Sequence, residues 1–236
     1  ARGEFADVAR ICAERGFTPV DGILIDAGVS SFQLDTPGRG FSFRRDEPLD
    51  MRMDPDGPVT AADIVNTSDE FDLAAIIFEY GEERRSRRIA REIVARRPLR
   101  TTTDLARAVE AAVGRRGQDR IHPATLTFQA LRIAVNGELD QLERALEAAH
   151  DLLAPGGRLA VISFHSLEDR MVKQFIREHT RDCICPPKQP ICTCDHRATL
   201  RDVVRGGRTA SDGEVARNPR ARSARLRAAE RLAEAA

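Results

Sequence analysis

Short unbroken apolar runs in this chain alternate with longer segments whose apolar residues recur every three or four positions. Gly22-Ile23-Leu24-Ile25 is too short for a helix, rich in β-branched residues and stopped by Gly28, and so predicts a buried parallel strand. Leu159-Ala160-Val161-Ile162-Ser163 predicts a second strand. Ahead of it, Glu138 to Leu153 carries a helical stripe of Leu139, Leu142, Leu146, Ala149 and Leu153 and ends in the turn Pro155-Gly156-Gly157. Behind it, Ser166-Leu167-Glu168-Asp169 has the spacing of a capping box and opens a helix running to about Glu178. From Ala61 to about Gly114 the pattern is helical, with start signals at Thr60, Ser68 and Thr103 and breaks at Pro98 and at a turn from Gly114 to Gly117. The last dozen or so residues, rich in Ala, Arg and Glu, predict a frayed helix. The expectation is an α/β fold interrupted by a helical insertion.

Both predicted strands end in reactive residue types. Asp26 closes the first, followed by Ser30, Ser31 and Gln33; Phe164-His165-Ser166 closes the second. In open α/β sheets ligands bind beyond the carboxyl ends of the strands, so Asp26, Ser30, Ser31 and Gln33 are expected to face one pocket. The competing reading of the first segment is an Asx-type turn that only caps the next element.

Composition narrows the class. The chain has 236 residues with 42% hydrophobic content, enough for one large domain or a domain plus an insertion. It shows no apolar run of membrane-span length and no signal pattern, which makes the cytoplasm the expected compartment. Net charge is +0, so local charge carries the information. Lys173 and Lys188 are the only lysines, and the arginines gather at 84–91 and at Arg217, Arg220, Arg222, Arg225 and Arg227. Such clusters suit bidentate phosphate contacts, although genomic base composition accounts for an arginine excess equally well. The second cluster is the better candidate, because Glu82, Glu83 and Glu92 share the first. Arg45, Asp50, Arg52 and Asp54 interleave their signs and suggest a local ion-pair network.

Cys183-Ile184-Cys185 and Cys192-Thr193-Cys194 form paired C-x-C steps flanked by His179 and His196. Four thiolates can hold zinc, but structural zinc sites usually space their pairs by two to four residues, so reduced thiols in a surface loop, with no metal, are the preferred reading. Cys12 lies in a helical pattern and is expected in the core. Asn136 has two open readings, substrate contact or helix cap.

Asp21 to Asp54, with Asp26-Ala27-Gly28-Val29-Ser30-Ser31-Phe32-Gln33-Leu34-Asp35, Arg39-Gly40-Phe41-Ser42-Phe43 and Pro48-Leu49-Asp50-Met51-Arg52-Met53-Asp54, closely resembles the bacterial small-subunit rRNA cytosine-N4 methyltransferases, the MraW family. Tyr80-Gly81-Glu82-Glu83, Phe128 to Asn136, Ile162 to Arg170 and Asn218 to Ser223 agree in the same order, so the resemblance covers nearly the whole chain. It implies a Rossmann-like class I S-adenosylmethionine-dependent methyltransferase sheet over 1–57 and 122–236, with an inserted helical domain over 58–121. Family members begin with a strand and a glycine-rich loop that cradles the cofactor. This sequence starts at Ala1, downstream of both, and Gly38-Arg39-Gly40 cannot replace that loop because no strand precedes it. The sheet is therefore expected to be N-terminally incomplete, with the strand ending at Asp26 baring an apolar edge.

By resemblance, Phe5, Asp26 and Gln33 contact S-adenosylmethionine, and the substrate is a cytidine in the decoding region of 16S rRNA within the small subunit. The exocyclic N4 of cytosine is a weak nucleophile and needs hydrogen-bond acceptors to aim it. Ser30 and His165 are the expected catalytic residues, Ser31 lines the base pocket, and Phe164 offers a stacking face for the extruded base. Arg220 and Arg222 would grip RNA phosphates. His165 keeps a second reading, a histidine that only orders the turn before the next helix. The alternative function is a non-catalytic rRNA-binding fragment that ignores the cofactor.

Overall fold

The computed structural model of the chain describes residues 1–114, 122–187 and 189–233. In chain order its elements are α1 (Val8–Glu14), β1 (Val20–Asp26), α2 (Ser31–Asp35), α3 (Ala61–Thr67), α4 (Glu70–Gly81), α5 (Ser86–Ala95), α6 (Thr102–Val113), α7 (Thr125–Asn136), α8 (Glu138–Leu152), β2 (Leu153–Ser163), α9 (Ser166–His179), β3 (Leu200–Asp202), β4 (Arg208–Thr209), α10 (Asp212–Arg217) and β5 (Arg225–Arg231). The part of the expected turn beyond Gly114, the insertion boundary at 121, and Lys188 lie outside the described residues. The chain divides into two compact units, Ala1–Gly28 with Leu139–Ala236, and Val29–Glu138.

The first unit is built on a mixed sheet in the order β1-β2-β5-β3, with β4 also paired to β5. β1 and β2 run parallel with Asp26 opposite Ile162, whereas β5 is antiparallel to β2, β3 and β4. Ala154 to Gly157 loops out of the ladder between the pairs Val20–Leu153 and Gly22–Arg158. A Cβ at Gly157 would sit 2.8 Å from the Ala154 carbonyl, so the Pro-Gly-Gly turn requires glycine there. The stripe foreseen on α8 is largely the one buried: Leu142, Leu146, Ala149 and, just past its end, Leu153 join Val172, Phe175 and Ile176 near α9's end and Leu159 and Val161 of β2 in one core.

Three expectations are corrected here. The terminal segment foreseen as a frayed helix is strand β5, paired on both edges. Helix propensity in Arg225-Leu226-Arg227-Ala228-Ala229-Glu230-Arg231 is worth only tenths of a kcal/mol per residue, whereas strand pairing completes two ladders and buries Ala229. β1 is parallel as foreseen but is not buried throughout: Ile25 is 7% exposed and Leu24 66%. Among the described residues it has one strand neighbour, β2, so its apolar sequence meets only part of the packing that a central strand would find. Cys12 is half-buried on a helix with no buried residue.

The second unit is helical, with Leu49, Met51, Leu73, Ile77, Ile89, Ile93, Leu105, Val109, Phe128 and Leu131 in one core. Thr60 caps α3 as expected, in a reciprocal capping box with Asp63. The caps of α4 and α6 are Asp69 and Thr101, not Ser68 and Thr103. In each case the residue that caps is the one followed three positions later by an Asp at N3, Asp72 or Asp104, whose backbone N–H its side chain accepts. This unit extends past the expected limits of 58 and 121. Glu47 and Leu49 bond to the backbone at the α6 entry, and both amide groups of Asn136 are used on the Met51 carbonyl and the Met53 N–H, at 2.8 and 2.6 Å. Of the two readings of Asn136, the structure shows an anchor for the 51–53 loop. Asp50 and Arg52 form the expected local pair, bidentate at 2.9 and 2.8 Å, and that guanidinium holds the Asp50 carboxyl below its usual range. No helix among the described residues is long and apolar enough to cross a membrane.

Candidate active site

Parallel pairing brings the two predicted reactive strand ends side by side. Asp26 faces Ile162 in register, and the N–H of Ala27 still donates to the Ile162 carbonyl at 3.0 Å, so the chains leave the sheet together. Gly28 then turns with φ +80°, and a Cβ added there would lie 3.7 Å from Glu168 Oε1 and 3.9 Å from Phe164 Cδ2, ordinary contact distances. A glycine is required by the dihedral more than by the space.

Below that edge, Gly3, Glu4, Phe5, Val8, Ile11, Ile23, Leu24, Ile25, Asp26 and Ala145 line an open pocket of about 270 Å³. Phe5 sits at the start of a single 3-10 turn, Phe5–Asp7, whose Ala6 N–H donates to Gln141 Oε1 at 3.3 Å. The Gln141 amide also bonds Glu4, so α8 holds the segment that carries Phe5 in place. The pocket is chiefly aliphatic and aromatic, and the exposed Asp26 is the residue of its lining besides Glu4 that carries a carboxylate. Two of the three expected cofactor residues, Phe5 and Asp26, therefore line one cavity.

Gln33 belongs to the helical unit, as do Ser30 and Ser31. Ser30 is the N-cap of α2: its Oγ accepts the Gln33 N–H at 3.2 Å while Gln33 Oε1 accepts the Ser30 N–H at 2.9 Å. α2 is thus capped by a Ser30–Gln33 box and not by the Asx-type turn foreseen, and Ser31, at the first turn, is exposed.

The second strand end is built around a residue the sequence reading left without a role. Glu168 is 2% exposed, and its Oε2 accepts the N–H of Phe164 at 2.7 Å and of His165 at 3.3 Å. The cap of α9 is His165, one residue before the expected Ser166: its Nδ1 accepts the Glu168 N–H at 3.4 Å. The box closes on Glu168 because the acid must fall at the third helical position. With Nδ1 accepting, neutral His165 carries its proton on Nε2, a buried atom 3.1 Å from Glu168 Oε1 but off-axis for a hydrogen bond. Phe164 is half-buried. The sequence signal for Glu168 was the Glu three places after a polar residue, read one residue out of step.

Next to it, Asp169 is gripped by Arg227 of β5, Nε to Oδ1 at 2.7 Å and Nη2 to Oδ2 at 3.0 Å, with Arg225 at 3.4 Å. Burial works to raise the Asp169 pKa, but the Arg227 fork together with the charges of Arg225 and Lys173 outweighs it and the net shift is downward. Arg225 and Arg227, expected in an RNA-gripping cluster, are thereby engaged with the fold. Arg217, Arg220 and Arg222 are exposed. In the other cluster Arg85 pairs with the buried Glu83 at 3.1 Å and Arg91 with Glu70 at 3.4 Å, while Arg84, Arg87 and Arg88 are exposed.

A parallel strand pair opening on a polar edge, flanked by helices and extended by an antiparallel strand, is the architecture of a Rossmann-like methyltransferase. The chain belongs to the MraW methylase family, whose match spans residues 1–232. It is 56% identical to the ribosomal RNA small subunit methyltransferase H of Dehalococcoides mccartyi over 98% of this chain and 66% of the relative. To the proteins of the same name from Syntrophotalea carbinolica and Geobacter sulfurreducens it is 58% and 56% identical, in each case over 98% of this chain, covering 74% and 75% of the relative. The chain thus spans from just under two thirds to three quarters of the length of these relatives.

Proposed function

We propose that this chain is the methyl-transferring part of an S-adenosylmethionine-dependent enzyme acting on the exocyclic N4 of a cytidine in the decoding region of 16S rRNA, within the small ribosomal subunit of the cytoplasm. The observation that carries the reading is the pocket shared by Phe5 and Asp26 at the carboxyl end of β1, beside the Phe164–His165 end of β2. An aromatic and aliphatic wall suits a purine ring, and a carboxylate in the lining suits hydroxyl or ammonium donors, so the residues present fit that cofactor. When bound, S-adenosylmethionine supplies a methyl group already activated by a positive sulfur.

The protein's task is then positioning more than proton chemistry. Asp26 holds the donor at the strand end, with Phe5 and Leu24 packing against its ring. Phe164, fixed by the Glu168 carboxylate on its N–H, offers a face for the cytosine. Ser30 and Ser31 supply hydroxyls that accept from the N4 amine and orient its lone pair. His165 keeps its Nδ1 in the helix cap, so it contributes to the site chiefly by shaping the turn that presents Phe164; a role in relaying the N4 proton requires Nε2. Gln33 is also assigned to the cofactor, its Oε1 being held by the Ser30 N–H in the capping box. Arg220 and Arg222 grip RNA phosphates, and the helical unit is the inserted second domain of the family, with the sheet unit as the catalytic one.

Titration calorimetry of the chain with S-adenosylmethionine, run beside a version extended upstream, tests this. Binding that weakens ~10-fold or more in Asp26→Ala supports it, since a hydrogen bond to a charged group is worth about 1.5–3 kcal/mol. If neither protein binds the cofactor while both retain salt-dependent rRNA binding, the non-catalytic RNA-binding reading replaces it.

A further inference from the structure

Between α9 and β3, from Thr180 to Thr199, none of the described residues is in a helix or strand and none is buried. Ile184 and Ile191 are 49% and 74% exposed, so the segment has no apolar core of its own. Loops this long are uncommon in compact units unless something ties them. The four cysteines set aside at the sequence level as surface thiols meet here. The sulfurs of Cys183, Cys185, Cys192 and Cys194 all lie within 4.8 Å of one another. Three of the separations are 4.0 Å for Cys185–Cys192, 3.6 Å for Cys192–Cys194 and 3.8 Å for Cys194–Cys183. Four sulfurs at ~2.3 Å from a central zinc ion form a tetrahedron with edges of about 3.8 Å. A disulfide would need about 2.05 Å.

The surroundings hold this arrangement. Between the two C-x-C steps the Gln189 N–H donates to the Pro186 carbonyl at 2.9 Å. The Gln189 amide then donates to the Ile191 carbonyl at 2.9 Å and to Thr193 Oγ1 at 2.8 Å. The Thr193 N–H points at Cys185 Sγ at 3.5 Å, an outer contact suited to a thiolate. The neighbouring histidine, His196, has its Nε2 against the Glu178 carbonyl at 2.9 Å, which leaves an all-sulfur donor set. Such a set selects a thiophilic cation over magnesium or calcium.

We propose that Cys183, Cys185, Cys192 and Cys194 bind one zinc ion as a closed structural knuckle that fixes the loop between α9 and β3. The one-residue spacing within each pair departs from the usual two to four, but the four sulfurs converge within 4.8 Å regardless. With all four positions taken by sulfur, the ion has no place for water or substrate and serves the fold, not the methyl transfer.

The purified chain, kept reduced and dialysed, is assayed for bound metal and titrated with cobalt(II). The expected result is about one zinc per chain, and with cobalt the strong d–d bands of a tetrahedral site together with sulfur-to-cobalt charge transfer, both erased by added zinc. Cys183→Ser with Cys194→Ser should abolish these signals with the far-ultraviolet dichroism retained, and Cys12→Ser should leave them intact. A wild-type chain that retains no zinc and gives a featureless cobalt spectrum overturns the proposal, as does full stoichiometry in the double variant.

Discussion

The two units solve the same problem to different degrees. In the helical unit the apolar stripes meet one another: Leu73, Ile77, Ile89, Ile93, Leu105 and Leu131 are each fully buried. In the sheet unit, α8 and α9 contribute equally well buried residues, yet β1 leaves Leu24 66% exposed and Phe17, just ahead of it, 61% exposed. An apolar strand with one partner is an edge that natural sheets rarely leave bare. It coincides with the pocket of Phe5 and Asp26, so the unsatisfied part of the molecule is the part where the cofactor is proposed to bind. Packing is complete where the chain supplies stability and incomplete where it is proposed to meet a ligand.

That contrast can be broken by mutation. Ile77→Ala removes a fully buried side chain and should cost about 3 kcal/mol in a urea unfolding series. A cost near zero would mean that the helical core is not what holds that unit. Arg227→Met should cost about 2 kcal/mol, because it leaves the half-buried Asp169 with only the more distant Arg225. It should also remove part of the acid limb of stability. Asp169 titrates below its unfolded value, so its contribution is present above pH ~3.9 and is lost as pH falls through the lower folded value.

A smaller pH effect is expected from His150, whose ring lies 2.8 Å from Thr199 Oγ1 and beside the rings of Phe175 and His179. Burial first, and then the nearby Arg231 charge, hold its pKa below the ordinary value. The neutral ring belongs to the fold, so stability is full above pH ~6.5 and declines as pH drops through the depressed value; His150→Gln should flatten that slope in thermal melts at pH 5–7. Leu24→Ala should change unfolding stability by less than about 0.5 kcal/mol, yet weaken S-adenosylmethionine binding measurably. If instead it destabilises the chain as much as Ile77→Ala, the β1 face is covered in solution and the contrast fails.

Much of the site was legible beforehand because its signals are local. A short apolar run ending in Asp26, and another ending in Phe164-His165, mark strands and their carboxyl ends without reference to anything distant. Capping was legible in kind but slipped by a residue or two at Asp69, Thr101 and His165, because several polar residues stand side by side and only the helix geometry picks one. Glu168 lay only inside the expected Ser166–Asp169 box, though it organises the turn after β2.

The sequence by itself determined the family, the parallel strand pair and the inventory of groups at their ends, since long ordered motifs and hydrophobic period are properties of neighbouring residues. Only the tertiary structure decided that Arg225–Arg231 is a strand, that Arg227 serves Asp169 and that four cysteines share one centre. The first two depend on residues far apart in the chain, where a few tenths of a kcal/mol of local propensity are outweighed by ladder pairing or a buried ion pair, and the third on side-chain convergence that no helical or strand period encodes.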